Sequence, residues 1–97
     1  VKIRYLVCYD ISDPKRLKRV HRKMCGYGEA LQYSVFCCEL TDSEKTILWS
    51  DLHNLINHRH DQILFVNLGN SMSRRAENLE TLGRALTTRE QSLAVIV

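Results

Sequence analysis

Residues 3–10, IRYLVCYD, carry apolar side chains on both faces of an extended chain. Ile3, Tyr5, Val7 and Tyr9 fall on one side by alternation, and Leu6 and Cys8 on the other. A β-branched and aromatic run of this kind predicts a central strand with both faces largely buried. It ends at Asp10, where a carboxylate can reach solvent. Ser12 or Asp13 is then placed to cap a helix, with Pro14 at the first helical position, where a missing N–H costs nothing.

The predicted helix, Pro14–Cys25, has a narrow apolar stripe of Leu17, Val20 and Met24. Lys15, Arg16, Lys18, Arg19, Arg22 and Lys23 put six of the fourteen basic residues into nine positions with no acid among them. Net charge is only +3, so this concentration, rather than the total, points to a polyanionic partner. Gly26-Tyr27-Gly28 ends the helix, glycine being suited to the positive φ of a terminus.

Residues 29–40 alternate as strand, either one bent strand or two with a tight reversal; no Gly, Pro or Asn marks a turn inside. Thr41 and Glu44 form a capping box that opens a helix to about Ile56 or Asn57. Ile47, Leu48, Leu52, Leu55 and Ile56 give it a wide core-facing stripe, with Trp49 at the core edge. His53, His58 and His60 gather at its end, where imidazoles favour the helix dipole more readily than a metal. Residues 62–68 read as an apolar strand closed by Gly69-Asn70-Ser71. Residues 73–86 permit a short helix interrupted at Gly83, and Arg74, Arg75 and Arg84 add basic charge. Residues 87–91 read as linker, and residues 92–97, SLAVIV, as a terminal strand that must pair with a sheet in this subunit or another.

With 97 residues, 44% of them hydrophobic, the chain reads as a single domain: a core over residues 1–86, then linker and final strand over 87–97. The element order predicts an α+β fold, a ferredoxin-like sandwich with two helices on one face of an antiparallel sheet. No signal peptide or membrane span is expected. Cys8, Cys25, Cys37 and Cys38 make no C-x-x-C pair, so small buried hydrophobes in a reducing, cytoplasmic setting are expected rather than zinc.

Asp10 is the leading candidate for chemistry. One carboxylate holds Mg²⁺ weakly, but a two-fold dimer with Asp10 near its axis supplies a second, enough for metal-assisted phosphodiester hydrolysis. The competing reading is that Asp10 caps the turn or the helix. Ser12 can touch phosphate or cap, and Tyr9, on the opposite sheet face from Asp10, is a packing residue. The sequence contains no Walker, Rossmann, H-E-x-x-H or G-x-S-x-G pattern.

The blocks Tyr5-Leu6-Val7-Cys8-Tyr9-Asp10-Ile11-Ser12-Asp13, Gln32-Tyr33-Ser34-Val35-Phe36 and Glu39-Leu40-Thr41, with the basic helix between the first two and Leu82-Gly83-Arg84 later, resemble the CRISPR-associated Cas-two family. The resemblance implies a ferredoxin-like subunit in a homodimer, its C-terminal strand packed on the partner's sheet. It implies a catalytic, metal-binding Asp10, with one Mg²⁺ per dimer shared by both copies. Ser12, Lys15, Arg16, Lys18, Arg19, Arg22 and Lys23 would contact nucleic acid, and Tyr9 and Phe36 would support the site. Family members are described as Mg²⁺-dependent nucleases on RNA or DNA, and as spacer-acquisition subunits that bind double-stranded DNA and bridge dimers of the CRISPR integrase. Leu17 and Ala30 stand where some relatives carry arginine, which weighs for duplex binding over hydrolysis of single-stranded RNA. The alternative is a catalytically inactive ferredoxin-like nucleic-acid-binding or regulatory module.

Overall fold

The computed structural model describes residues 1–70 and 80–84. Six elements follow in the order β1 (Ile3–Asp10), α1 (Pro14–Cys25), β2 (Gly28–Gln32), β3 (Val35–Leu40), α2 (Asp42–Leu55) and β4 (Gln62–Asn70). The sheet is antiparallel with strand order β2-β3-β1-β4. This is the ferredoxin-like arrangement expected from the sequence, two interleaved split βαβ units.

Residues directly opposite on paired strands share a face, which separates the two sides of the sheet. On the helix side, Tyr5, Val7 and Tyr9 of β1 and Phe36, Cys38 and Leu40 of β3 pack against Val20 and Met24 of α1 and Leu48 and Leu52 of α2. Ile63 and Phe65 of β4 close the margin. The helix pattern was thus legible on α1. On α2 the stripe is narrower than expected: Ile47 is exposed, because only every third or fourth residue reaches the sheet. Trp49 is half exposed and tilts against Phe65 at 5.1 Å, the expected core-edge position.

The other face departs from expectation. Leu6 and Cys8 are only half buried. Across the ladders they meet Cys37 and Val35 on β3 and Val66 and Leu64 on β4, and Leu64 and Val66 are exposed. Among the described residues no helix covers this side, which leaves the apolar face of the sheet open there. Arg4, buried on the same face, pairs with Glu39 directly opposite.

Residues 29–40 form two strands. The reversal is Tyr33-Ser34, reached through a register shift between Ala30 and Gln32. Two-residue hairpins usually need positive φ, but no described non-glycine residue has one, which is why no Gly or Asn marks the turn. The Ser34 carbonyl accepts from the Tyr9 N–H at 3.1 Å, tying the turn to β1.

The glycines after α1 also act differently from expectation. Gly26 caps the helix at φ −81, in the right-handed region. Gly28 is needed for space: a Cβ there would stand 2.4 Å from the Cys37 carbonyl oxygen and 2.6 Å from Cys38 Sγ. β4 runs two residues past the expected end, to Asn70, through Gly69 at φ 96. Residues 80–84 are neither helix nor strand, with Gly83 at φ 95; the remainder of the helix expected over 73–86, the linker 87–91 and the strand 92–97 lie outside the described residues. Among the described residues, no helix is long and apolar enough to cross a membrane.

The space at Gly28 gives a direct check. Gly28→Ala is expected to lower unfolding stability by about 3 kcal/mol, because backbone of β3 must move. Gly26→Ala, which meets only the Lys23 carbonyl at 3.4 Å, should stay within about 0.5 kcal/mol of wild type. Urea midpoints of the two proteins decide it.

Candidate nucleic-acid and metal site

The site grows from the end of β1. Asp13 is the N-cap of α1, its carboxylate accepting the Arg16 N–H at 2.9 Å, and Pro14 follows at the first helical position. That settles the choice between Ser12 and Asp13. Ser12 has another partner, Asp61, the residue just before β4. Asp61 Oδ1 accepts from the Ser12 N–H at 3.0 Å and from its hydroxyl at 3.3 Å. Oδ2 accepts from Arg16 Nε at 2.8 Å and from the Asn57 N–H at 2.8 Å, and Arg16 also reaches Oδ1 at 3.2 Å. The Asp61 side chain is wholly shielded from solvent.

One carboxylate thus fastens the β1–α1 loop, the first turn of α1 and the α2–β4 loop together. The Arg16 guanidinium, with the Asn57 and Ser12 N–H groups, holds the Asp61 carboxyl well below the usual carboxylate range. The same pairing raises the Arg16 pKa and keeps its side chain folded back, with Arg16 also donating to the Ser12 hydroxyl at 3.2 Å. Two residues expected at a nucleic-acid interface, Ser12 and Arg16, are therefore committed to internal contacts.

Asp10 is left without a structural task. It is exposed, it pairs in register with Gln62, and it shares the open sheet face with Leu6 and Cys8. Its carboxylate meets no hydrogen-bond or ion-pair partner among the described residues. The capping reading of Asp10 fails because Asp13 caps the helix and Asp61 fastens the turn.

The basic residues divide by their position around α1. Lys15, Lys18, Arg19 and Arg22 are exposed on the outward face, opposite Val20 and Met24, and form no ion pair among the described residues. Lys23 lies on the flank and pairs with Asp51 of α2 at 3.3 Å. At the C-terminal end of the helix, Arg19, Arg22 and Lys23 border a shallow cavity with Tyr27 and Leu55.

Tyr9 and Phe36 are buried, as packing residues. The Tyr9 hydroxyl donates to the Tyr33 carbonyl at 3.0 Å. His21 Nδ1 lies 3.1 Å from both that hydroxyl and that carbonyl. Burial first, then the neighbouring Tyr33 and Cys25, pushes the Tyr9 pKa up to about 12, so it remains a donor. Burial likewise raises the Cys8 thiol and pushes Cys38 up to about 12, the opposite of nucleophile activation. His58 Nε2 bonds the His53 carbonyl at 2.8 Å, and no group of three or more His, Cys, Asp or Glu among the described residues is arranged to hold a metal. At the end of β1 the described residues offer Mg²⁺ the carboxylate of Asp10. That donor set fits the ion only where a second carboxylate or substrate phosphates complete it, the usual manner for Mg²⁺.

The profile of the family described as CRISPR associated protein Cas2 matches residues 3–76 of the chain. The chain belongs to this family. The Cas2 match therefore takes in Asp10, the whole of α1 and Asp61. A Rhodospirillum rubrum protein named CRISPR-associated endoribonuclease Cas2 1 is 38% identical over 96 residues, 95% of this chain and 89% of its own. A Thermodesulfovibrio yellowstonii protein named CRISPR-associated endoribonuclease Cas2 2 is 46% identical over 71 residues, 73% of this chain and 78% of its own. The crystal structure of Streptococcus pyogenes Cas2 superposes with a TM-score of 0.73 at 34% identity, covering 82% of this chain and 99% of that one.

Within this Cas2 chain, Asp61 is the residue that reading the sequence missed. Its partners lie 45 and 49 positions away, and no local pattern marks such a carboxylate. Asp61→Ala is expected to cost about 3 kcal/mol, since Arg16 and two backbone N–H groups lose their acceptor. The lowered carboxyl pKa adds a pH signature. Its contribution is complete above about pH 4 and is lost as pH falls below that, because the unfolded chain then binds the proton first. Urea midpoints at pH 3 and pH 6 should therefore differ more for wild type than for Asp61→Asn.

Proposed function

We propose that this chain is a DNA-binding subunit of CRISPR spacer acquisition, a two-fold dimer that holds duplex DNA on the outward faces of its basic helices and bridges dimers of the integrase. The observation that carries the binding role is the acid-free outward face of α1. Lys15, Lys18, Arg19 and Arg22 are exposed and form no ion pair among the described residues, while Arg16 and Lys23 are already engaged. A cation without an internal partner is the kind that neutralises a phosphate and releases counterions. The integrase as partner rests on the family alone.

The uncovered sheet face supports the dimer. Leu6, Cys8, Leu64 and Val66 form one apolar surface, and β4 is an edge strand among the described residues. A second copy would bury the face, and the strand expected at residues 92–97 of each copy would extend the other's edge. Asp10 sits on that same face, so the dyad would draw two Asp10 carboxylates towards one another. Cys8, Cys25, Cys37 and Cys38, none of them in a disulfide, fit a reducing, cytoplasmic setting.

The second reading is hydrolysis, favoured by the unoccupied task of Asp10 and by relatives named as endoribonucleases. The paired Asp10 carboxylates would hold Mg²⁺ and the basic helices would fix the phosphodiester. When bound, the ion supplies charge stabilisation at the phosphate and a more acidic water. Asp10 itself is exposed and has no hydrogen-bond partner among the described residues, which leaves both its oxygens for a cation.

Three measurements test these readings. Leu64→Asp with Val66→Asp should turn the dimer into monomer in sedimentation velocity; a dimer that survives would remove this face from the interface. Replacing Lys15, Lys18, Arg19 and Arg22 singly by alanine should each reduce the slope of log K against log salt by about 0.9 on blunt duplex. Cleavage of single-stranded RNA or duplex DNA that needs both Mg²⁺ and Asp10 would establish the hydrolase; absence of cleavage by a dimer that still binds duplex leaves the scaffold.

A further inference from the structure

Tyr33 is an unusual residue for a hairpin apex. It occupies a two-residue turn and is 56% exposed. Yet it is held firmly from behind. The His21 ring stacks on it with centroids 4.3 Å apart and planes only 11° from parallel. Its carbonyl accepts from the Tyr9 hydroxyl at 3.0 Å, and His21 Nδ1 stands 3.1 Å from the same oxygen. A carbonyl can only accept, so the hydrogen lies on His21 Nδ1 when that bond is made. His21 is further fixed edge-on to the buried Phe36 at 5.3 Å. The turn is therefore a rigid aromatic slab with one ring face backed and the other facing water.

Its surroundings are cationic. His21 lies on α1 between the buried stripe and the outward basic face, one turn from Lys18 and adjacent to Arg22. Both are exposed and unpaired among the described residues. A pre-oriented aromatic face beside phosphate-binding cations is the recognition element of sequence-tolerant single-strand binding. Tyr5 and Tyr9, the aromatics of β1, are buried and unavailable.

We infer that the outer face of Tyr33 is a stacking platform for an unpaired nucleobase, with Lys18 and Arg22 taking the phosphates beside it. The inference rests on the nucleic-acid-binding role proposed above and refines its substrate: the chain distinguishes nucleic acid with a splayed or single-stranded end from blunt duplex. Because the ring is already immobilised, stacking costs little side-chain entropy, which favours binding of a single base. The hydrogen bonds at the turn run to the Tyr33 backbone carbonyl, so Tyr33→Ala removes the ring and its stack on His21 and leaves those bonds in place.

The test compares a blunt duplex with the same duplex carrying a three-nucleotide 3′ overhang of 5-iodouracil. Wild-type protein should prefer the overhang, and ultraviolet light should give a crosslink that mass spectrometry maps to Tyr33. Tyr33→Ala should weaken overhang binding on the order of tenfold and leave blunt-duplex binding and the salt slope unchanged, since stacking releases no counterions. Tyr33→Phe should retain the preference. Lys18→Ala should instead lower the salt slope on both ligands. Equal loss on both ligands in Tyr33→Ala, or a crosslink elsewhere with the preference intact, overturns the platform while the basic-face reading stands. If the basic-face variants bind blunt duplex like wild type, the parent role falls, and the overhang data for Tyr33→Ala still decide the platform.

Discussion

The carboxylate of Asp61 is the contact on which the working end of the molecule depends. A ferredoxin-like sheet brings the end of β1 and the start of β4 side by side, with Asp10 opposite Gln62, but strand pairing alone does not shape the loops beyond. Asp61 does so by accepting from Ser12, Arg16 and Asn57 at once. A shielded carboxylate is costly unless its lone pairs are filled, and here both oxygens are used. Its position also sorts the charges nearby: one arginine is withdrawn from the surface, and Asp13, three residues after the end of β1, caps α1 while an acid from further along the chain fastens the loops. Asp10 stays free as a consequence.

The two faces of the sheet carry different duties. The helix side is closed by interlocking aromatics and aliphatics, Tyr9 and Phe36 stacking with centroids 6.2 Å apart and Tyr5 meeting Phe65 edge-on at 6.0 Å. The other side combines the pairing of buried Arg4 with Glu39 and the exposed Leu64 and Val66. Exposed apolar surface of that kind commonly marks an interaction face. The basic face of α1 points away from the core, so a partner copy on the open sheet face and a polyanion on the helix face would not compete for the same surface.

Much of the architecture was legible because its causes are local. Thr41 and Glu44 close a capping box within one turn, with bonds of 3.1 and 2.8 Å, and Pro14 starts a helix wherever a capping acid precedes it. The alternation in β1 and β3 reports burial at a period of two. The hairpin at Tyr33-Ser34 was ambiguous for a matching reason. Its conformation avoids positive φ, so the residue signals that usually mark a reversal are not required there. Gly28 looked like a helix terminator and proved to be a spacing residue, since its constraint comes from Cys37 and Cys38 on a different strand.

Composition and periodicity settled the element types, the order that makes the fold α+β, the candidacy of Asp10 and the basic character of α1. Each of these follows from residues within a turn or a strand of one another. Folding decided which cations remain free, which acid fastens the loops, which sheet face lies open and which tyrosine reaches solvent. Those outcomes depend on contacts between residues far apart in the chain, Arg16 with Asp61, Lys23 with Asp51, and His21 with Tyr33. A side chain's chemical type is written locally, but its availability is set by the partner that the fold delivers to it.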